Sequence, residues 1–128
     1  MKPELMLLLW AVALTIVQML IALSGATLQV GLPKLASNRE NMPALTGWVG
    51  RADRAHYNML ESLVLFAVLV LLVTVTNKSN PMTLLGAQLF LWARVGYAVV
   101  YFIGIPWLRT GIWLVSIVGL LLIFLQLV

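Results

Sequence analysis

Residues 5–28 read LMLLLWAVALTIVQMLIALSGATL, and this stretch decides the fold. No charged residue occurs between Glu4 and Lys34. About 20 apolar residues, each rising 1.5 Å along a helix, cross the roughly 30 Å hydrocarbon core of a bilayer. The stretch is therefore expected to form a membrane-spanning helix at about 5–28. A cleaved leader would carry a shorter apolar core of about 7 to 15 residues, so the helix is read as retained.

The rest of the chain fits that solvent. Of its 128 residues 62% are hydrophobic and 9% charged, and the mean hydropathy is +1.04. Soluble domains carry about 25% charged residues, which excludes an ordinary water-soluble enzyme core. With no cysteine there is no disulfide, no thiolate metal site and no cysteine nucleophile. The net charge of +4 is scattered, with no run of basic residues interleaved with aromatics, so no nucleic-acid partner is expected.

Residues 29–50 hold Gly31, Pro33, Ser37, Asn38, Asn41, Pro43 and Gly47 with Lys34, Arg39 and Glu40, and read as an aqueous loop. Apolar sequence then predicts helices at about 51–77, 82–103 and 108–128, separated by Asn77-Lys78-Ser79-Asn80-Pro81 and by Gly104-Ile105-Pro106. The expectation is one all-α domain over 1–128, an integral membrane four-helix bundle. Lys34, Arg39, Arg51, Arg54 and Arg109 lie on one side, Lys2 and Lys78 on the other. By the positive-inside rule the first and third loops are cytoplasmic.

Charges inside spans are expensive and face a protein interior or a wet cavity, so Glu61 and Arg94 require an explanation. Each lies about ten residues, or about 15 Å, from the same membrane face, which predicts an ion pair, either a bundle-locking bridge or part of a site. Arg54, Asn58 and Glu61, with Arg51 a turn earlier, are spaced to form one stripe; Arg94, Tyr97 and Tyr101 form another. Two stripes rising from one face are expected to line a common cavity. Arg109, at the start of the last helix, would be penalised by the helix dipole unless an anion lay close by. His56 lies beside the first stripe and is read as structural. No metal-ligand set and no phosphate-binding loop is present. Gly25, Gly86, Gly96, Gly111 and Gly119 are expected to allow close helix approach, and so small a unit is expected to associate with copies of itself.

The sequence Arg51-Ala-Asp-Arg54-Ala-His56-Tyr-Asn58-Met-Leu-Glu61 resembles the signature of the MAPEG family, membrane-associated proteins in eicosanoid and glutathione metabolism. The similarity continues through Arg94-x-x-Tyr97-x-x-x-Tyr101, Gly104, Pro106 and Arg109, and the small size is like the bacterial branch. The resemblance implies a homotrimer with glutathione sites between neighbouring subunits, open to the cytosol of a bacterial inner membrane. It implies that Arg54, Asn58 and Glu61 hold glutathione, with Tyr101 as a further contact and Tyr97 where some members have histidine. It also implies that Arg109 stabilises the thiolate and that Thr110 is its hydroxyl neighbour.

Glutathione carries two carboxylates, an ammonium and a thiol with a pKa near 8.5. Arg51, Arg54 and Arg94 suit carboxylates, Glu61 suits the ammonium, and a cation beside sulfur raises the thiolate fraction. The implied activity is a glutathione-dependent transferase or peroxidase acting on an apolar electrophile or a lipid hydroperoxide delivered from membrane lipids. The competing reading is a non-enzymatic lipid-binding or scaffold protein of the same fold. The chain departs from catalytic members at Tyr57, where some have arginine, at Trp113, where tyrosine is common, and at Gln29-Val30-Gly31, which lacks a first-helix arginine.

Overall fold

The computed structural model describes residues 1–128. It contains five helices and no strand: α1 (Pro3–Gln29), α2 (Leu32–Ala36), α3 (Gly47–Val75), α4 (Pro81–Ile103) and α5 (Pro106–Leu127). All but α2 are long and apolar enough to cross a membrane. Proline opens α1, α4 and α5, where its missing N–H would have had no intrahelical partner. Asn80 completes the start of α4 with a capping box: its Oδ1 accepts from the backbone N–H groups of Met82 (2.8 Å) and Thr83 (2.9 Å), while Thr83 Oγ1 accepts from the Asn80 N–H (2.9 Å). Gly104 ends α4 at φ +92°, a left-handed turn that glycine enters without steric cost.

Two expectations change here. The helix expected from Arg51 begins at Gly47, because Trp48 and Val49 pack against Gly25 of α1 and draw an extra turn into the bundle. The loop over 29–50 is shorter and more ordered than its composition suggests. It contains α2, whose Leu35 is buried. The Gln29 amide closes its neck by donating to Thr46 O (2.9 Å) and accepting from Thr46 N–H (3.1 Å).

The spanning helices pack as a diamond: α3 and α4 both contact α1 and α5, which do not touch each other. Met59, Phe66, Phe90 and Ile123 are fully enclosed at the centre, with Phe66 and Phe90 stacked at 4.2 Å between ring centroids. α4 and α5 meet backbone to backbone. A Cβ on either Gly86 or Gly119 would lie 2.6 Å from the other's carbonyl oxygen, which explains both glycines. The packing role expected for Gly111 is not found, since nothing approaches it within 4 Å, and Gly96 makes only ordinary contact with Ile112.

At the membrane face holding the N-terminus, polar side chains tie the helices together. Glu4 Oε1 accepts from Ser79 Oγ (2.6 Å) and Thr83 Oγ1 (3.0 Å), fixing α1 to the α3–α4 turn. Asn80 Nδ2 donates to Gln126 Oε1 (3.0 Å) and Lys78 Nζ to Leu127 O (3.1 Å), fixing α5 to the same turn.

Candidate functional site

The candidate residues lie at the opposite face, on the first turns of α3, the last turns of α4 and the first turn of α5. Tyr101 is their meeting point. Arg54 Nε donates to its hydroxyl (3.1 Å), and the Arg109 guanidinium lies 4.5 Å from its ring centroid. Tyr97 adjoins Tyr101 at 5.5 Å between centroids, and the Arg94 guanidinium stands 4.2 Å from the Tyr97 centroid. From the bundle centre outward the order is Arg94, Tyr97, Tyr101 and Arg109, a tyrosine pair between two arginines. Each ring offers its negative face to a cation, worth about 0.5–2 kcal/mol depending on exposure. Ala55, Ile112 and Trp113 pack around the two tyrosines and hold them in place.

The two stripes differ in burial. The α4 stripe points inward: Arg94 is 1% exposed, Tyr97 5% and Tyr101 8%. The α3 stripe lies at the bundle surface, with Arg54 and Glu61 exposed and Asn58 half-buried. The one hydrogen bond between them runs from Arg54 to Tyr101.

The expected Glu61–Arg94 ion pair is absent. All three Arg94 guanidinium nitrogens are enclosed without a hydrogen-bond partner, while Glu61 points away. The reason is angular. Residues on α3 that face α4 include Met59, and Glu61, two residues on, is turned about 200° from it. Matching depth fixes height along a helix but not the direction in which a side chain points.

Arg51 and Thr110 are engaged with backbone. Arg51 Nε donates to Phe102 O (2.9 Å) at the end of α4, a favourable position for a cation, and its side chain lies against Gly104. The Thr110 hydroxyl donates to Pro106 O (3.2 Å) on an exposed part of α5. Asn58 Oδ1 and His56 Nδ1 are enclosed without partners. Chemically, the outer edge offers two guanidinium groups, Arg54 and Arg109, on either side of one tyrosine, with the Glu61 carboxylate farther along the same α3 face. That set suits a ligand carrying carboxylates and an ammonium.

Sequence reasoning missed Ile112 and Trp113 as the packing that positions the tyrosines. Their signal was available, since three and four residues after Arg109 they share its helix face.

A four-span, all-helical integral membrane protein with an arginine–tyrosine cluster at one end of its bundle is the class that fold and site define. The chain belongs to the MAPEG family, whose profile matches residues 6–128. That family includes glutathione transferases and peroxidases as well as non-enzymatic members. No curated protein and no solved structure matches the chain.

Proposed function

We propose that the protein is a glutathione-dependent transferase or peroxidase acting on apolar electrophiles or lipid hydroperoxides. The observation that carries this reading is the pair of arginines, Arg54 and Arg109, converging on Tyr101 at an open edge. In this reading Arg54 and Asn58 take glutathione carboxylate and backbone groups, Glu61 takes its ammonium, and Tyr101 donates to it. Arg94 and Tyr97 stand behind Tyr101 and fix its position, Arg51 steadies the end of α4, and Thr110 lies beside the thiol.

Arg109 holds the sulfur as thiolate, the proton passing to water. The thiolate then forms a carbon–sulfur bond with the electrophile, and the leaving group departs with its electron pair. With a hydroperoxide, sulfur takes the terminal oxygen, the O–O bond breaks to release an alcohol, and a second glutathione completes the disulfide and releases water. In this reading the exposed Glu61 and Arg54 edge is completed by a neighbouring subunit in a homotrimer, and this face lies on the cytosolic side of a bacterial inner membrane.

The test is conjugation of a model electrophile by the purified protein with glutathione, with thiolate absorbance read in parallel. Arg109→Ala is expected to lose thiolate signal and conjugation together; full activity in that variant excludes the role.

A second reading, a non-enzymatic lipid-binding member, is favoured by the Arg51 bond to Phe102 O, which accounts for that arginine by architecture alone. Under it, glutathione at millimolar concentration gives no binding heat while a fatty acid binds saturably.

A further inference from the structure

The register of the seam between α1 and α3 can be read from its contacts. A Cβ on Gly25 would lie 2.8 Å from Val49 Cγ2, so these two residues face each other near the arginine–tyrosine end. The helices run antiparallel, since Glu4 at the start of α1 bonds Ser79 just beyond the end of α3. Seven residues make about two helical turns. Stepping seven back along α1 and seven forward along α3 therefore keeps to the facing sides and moves about 10 Å toward the bundle centre. That step leads to Gln18 and His56, passing the buried Ala22 and Ala52 on the way. A second step leads to Ala11 and Leu63, which pack together in the central apolar cluster, so the seam holds its register through this level.

At Gln18 and His56 both helices present a polar side chain, 8% and 9% exposed. Gln18 Oε1 and His56 Nδ1 are each enclosed without a hydrogen-bond partner, and neither bonds directly to the other. His56 lies nine residues into α3, about 14 Å along the helix, and at that depth in a bilayer no headgroup reaches it. One unmatched polar atom there is costly; two at the same level of one seam can satisfy each other. The imidazole Nδ1 donates or accepts according to tautomer, and a half-turn of the amide offers oxygen or nitrogen, so the two side chains match in either tautomer. An enclosed water bridges such a gap where a few polar partners surround it. Thr15, one turn deeper on the same face of α1, is a third partner: its hydroxyl donates to Ala11 O (2.8 Å) and keeps a lone pair free.

We propose that Gln18 and His56 are joined through one enclosed water, and that this link fixes the rotation of α3 that turns Arg54 and Asn58 toward the open edge. His56 stands two residues from each of them, about 200° around the helix axis, so holding His56 against α1 holds Arg54 and Asn58 on the opposite side. The alanines beside the link offer little shape to resist rotation. A turn of about 10° moves a group on the helix surface, about 6 Å from the axis, by about 1 Å. Gln18 and His56 are then positioning residues for the edge, a role that rests on the glutathione reading; the link itself does not.

His56 is the one histidine of the chain, so its imidazole gives a single pair of ring-nitrogen resonances. In full-length protein carrying isotope-labelled histidine in mixed micelles, Gln18→Leu is expected to shift the Nδ1 resonance. Ile16→Ala, on the outward face of α1, is expected to leave it in place. His56→Phe and Gln18→Leu should each lower the unfolding midpoint in denaturing detergent, while the double variant unfolds no earlier than the better single, because two apolar groups leave no bare polar atom. Gln18→Leu should raise the KM for glutathione about three- to ten-fold with kcat changed by less than about two-fold. The double variant should keep the raised KM although its stability has returned, since apolar contact does not fix rotation as a polar link does.

An Nδ1 resonance unmoved by Gln18→Leu, or single losses that add in the double variant, overturns the link. A wild-type KM in Gln18→Leu, or one that returns with stability in the double variant, overturns the positioning role. Wild-type protein without glutathione activity overturns the proposed function and the positioning role together, while the Nδ1 resonance still decides the link.

Discussion

Replacing Gly119 by alanine tests the packing that sets the spacing of α4 and α5, and with it the position of Arg109 relative to Tyr101. The added methyl would lie 2.6 Å from Gly86 O and 2.9 Å from Phe90 N, where ordinary contact begins at 3.4 Å. Both atoms belong to the α4 backbone, so no side-chain rotation relieves the clash and the helices must separate by about 0.8 Å locally. A gap of that size forfeits a quarter to a half of the dispersion energy of each contact it opens. Overpacking of this kind costs about 1–3 kcal/mol.

Gly111→Ala on the same helix is the control. Nothing lies within 4 Å of its new methyl, and exchanging glycine for alanine in a helix gains about 0.5–1 kcal/mol. The double variant Gly86→Ala with Gly119→Ala should cost less than the sum of the singles, because one separation relieves both clashes. The assay is unfolding in mixed micelles titrated with a denaturing detergent and followed by circular dichroism. A Gly119→Ala protein within about 0.5 kcal/mol of wild type, or indistinguishable from Gly111→Ala, would refute the backbone contact.

Further tests address the two ends of the bundle. Asn80→Ala removes the α4 cap and the bond to Gln126, and should cost about 1–2 kcal/mol in the same unfolding assay. Thr83→Val leaves the Glu4 carboxylate with Ser79 alone and should cost about 1–3 kcal/mol, with protease sensitivity appearing first near the N-terminus. Arg94→Met exchanges a buried guanidinium without a hydrogen-bond partner for an apolar side chain of similar length, so stability should be unchanged or higher. A loss of about 3 kcal/mol or more would mean that Arg94 has a partner in the assembled protein.

The spans were legible because the membrane imposes a minimum apolar length, and the turns at Asn77–Pro81 and Gly104–Pro106 mark their ends. Azimuth was much harder to read. In a soluble helix the apolar stripe marks the buried face, but here every face is apolar. The buried residues of α1 are Glu4, Ala11, Thr15, Gln18, Ala22, Gly25 and Ala26, and large residues such as Trp10, Ile16, Val17 and Leu20 point outward. Burial thus follows smallness and polarity at helical spacing, a pattern that would have singled out Gln18. The same ambiguity defeated the Glu61–Arg94 pairing, where equal depth was inferred without direction. Tyr97, Tyr101 and Arg109 were found through motif spacing, whereas the part Ile112 and Trp113 play depended on how tightly α5 docks on α4.

Calorimetric titration of the intact protein with glutathione measures directly whether the Arg54–Tyr101–Arg109 edge binds the tripeptide thiol. Saturable binding at up to millimolar concentration is expected, weakened at least about ten-fold in both Arg54→Ala and Glu61→Gln, with the helical signal of each variant unchanged. No binding by the wild-type protein at millimolar glutathione, or equal affinity in both variants, would contradict binding at this edge.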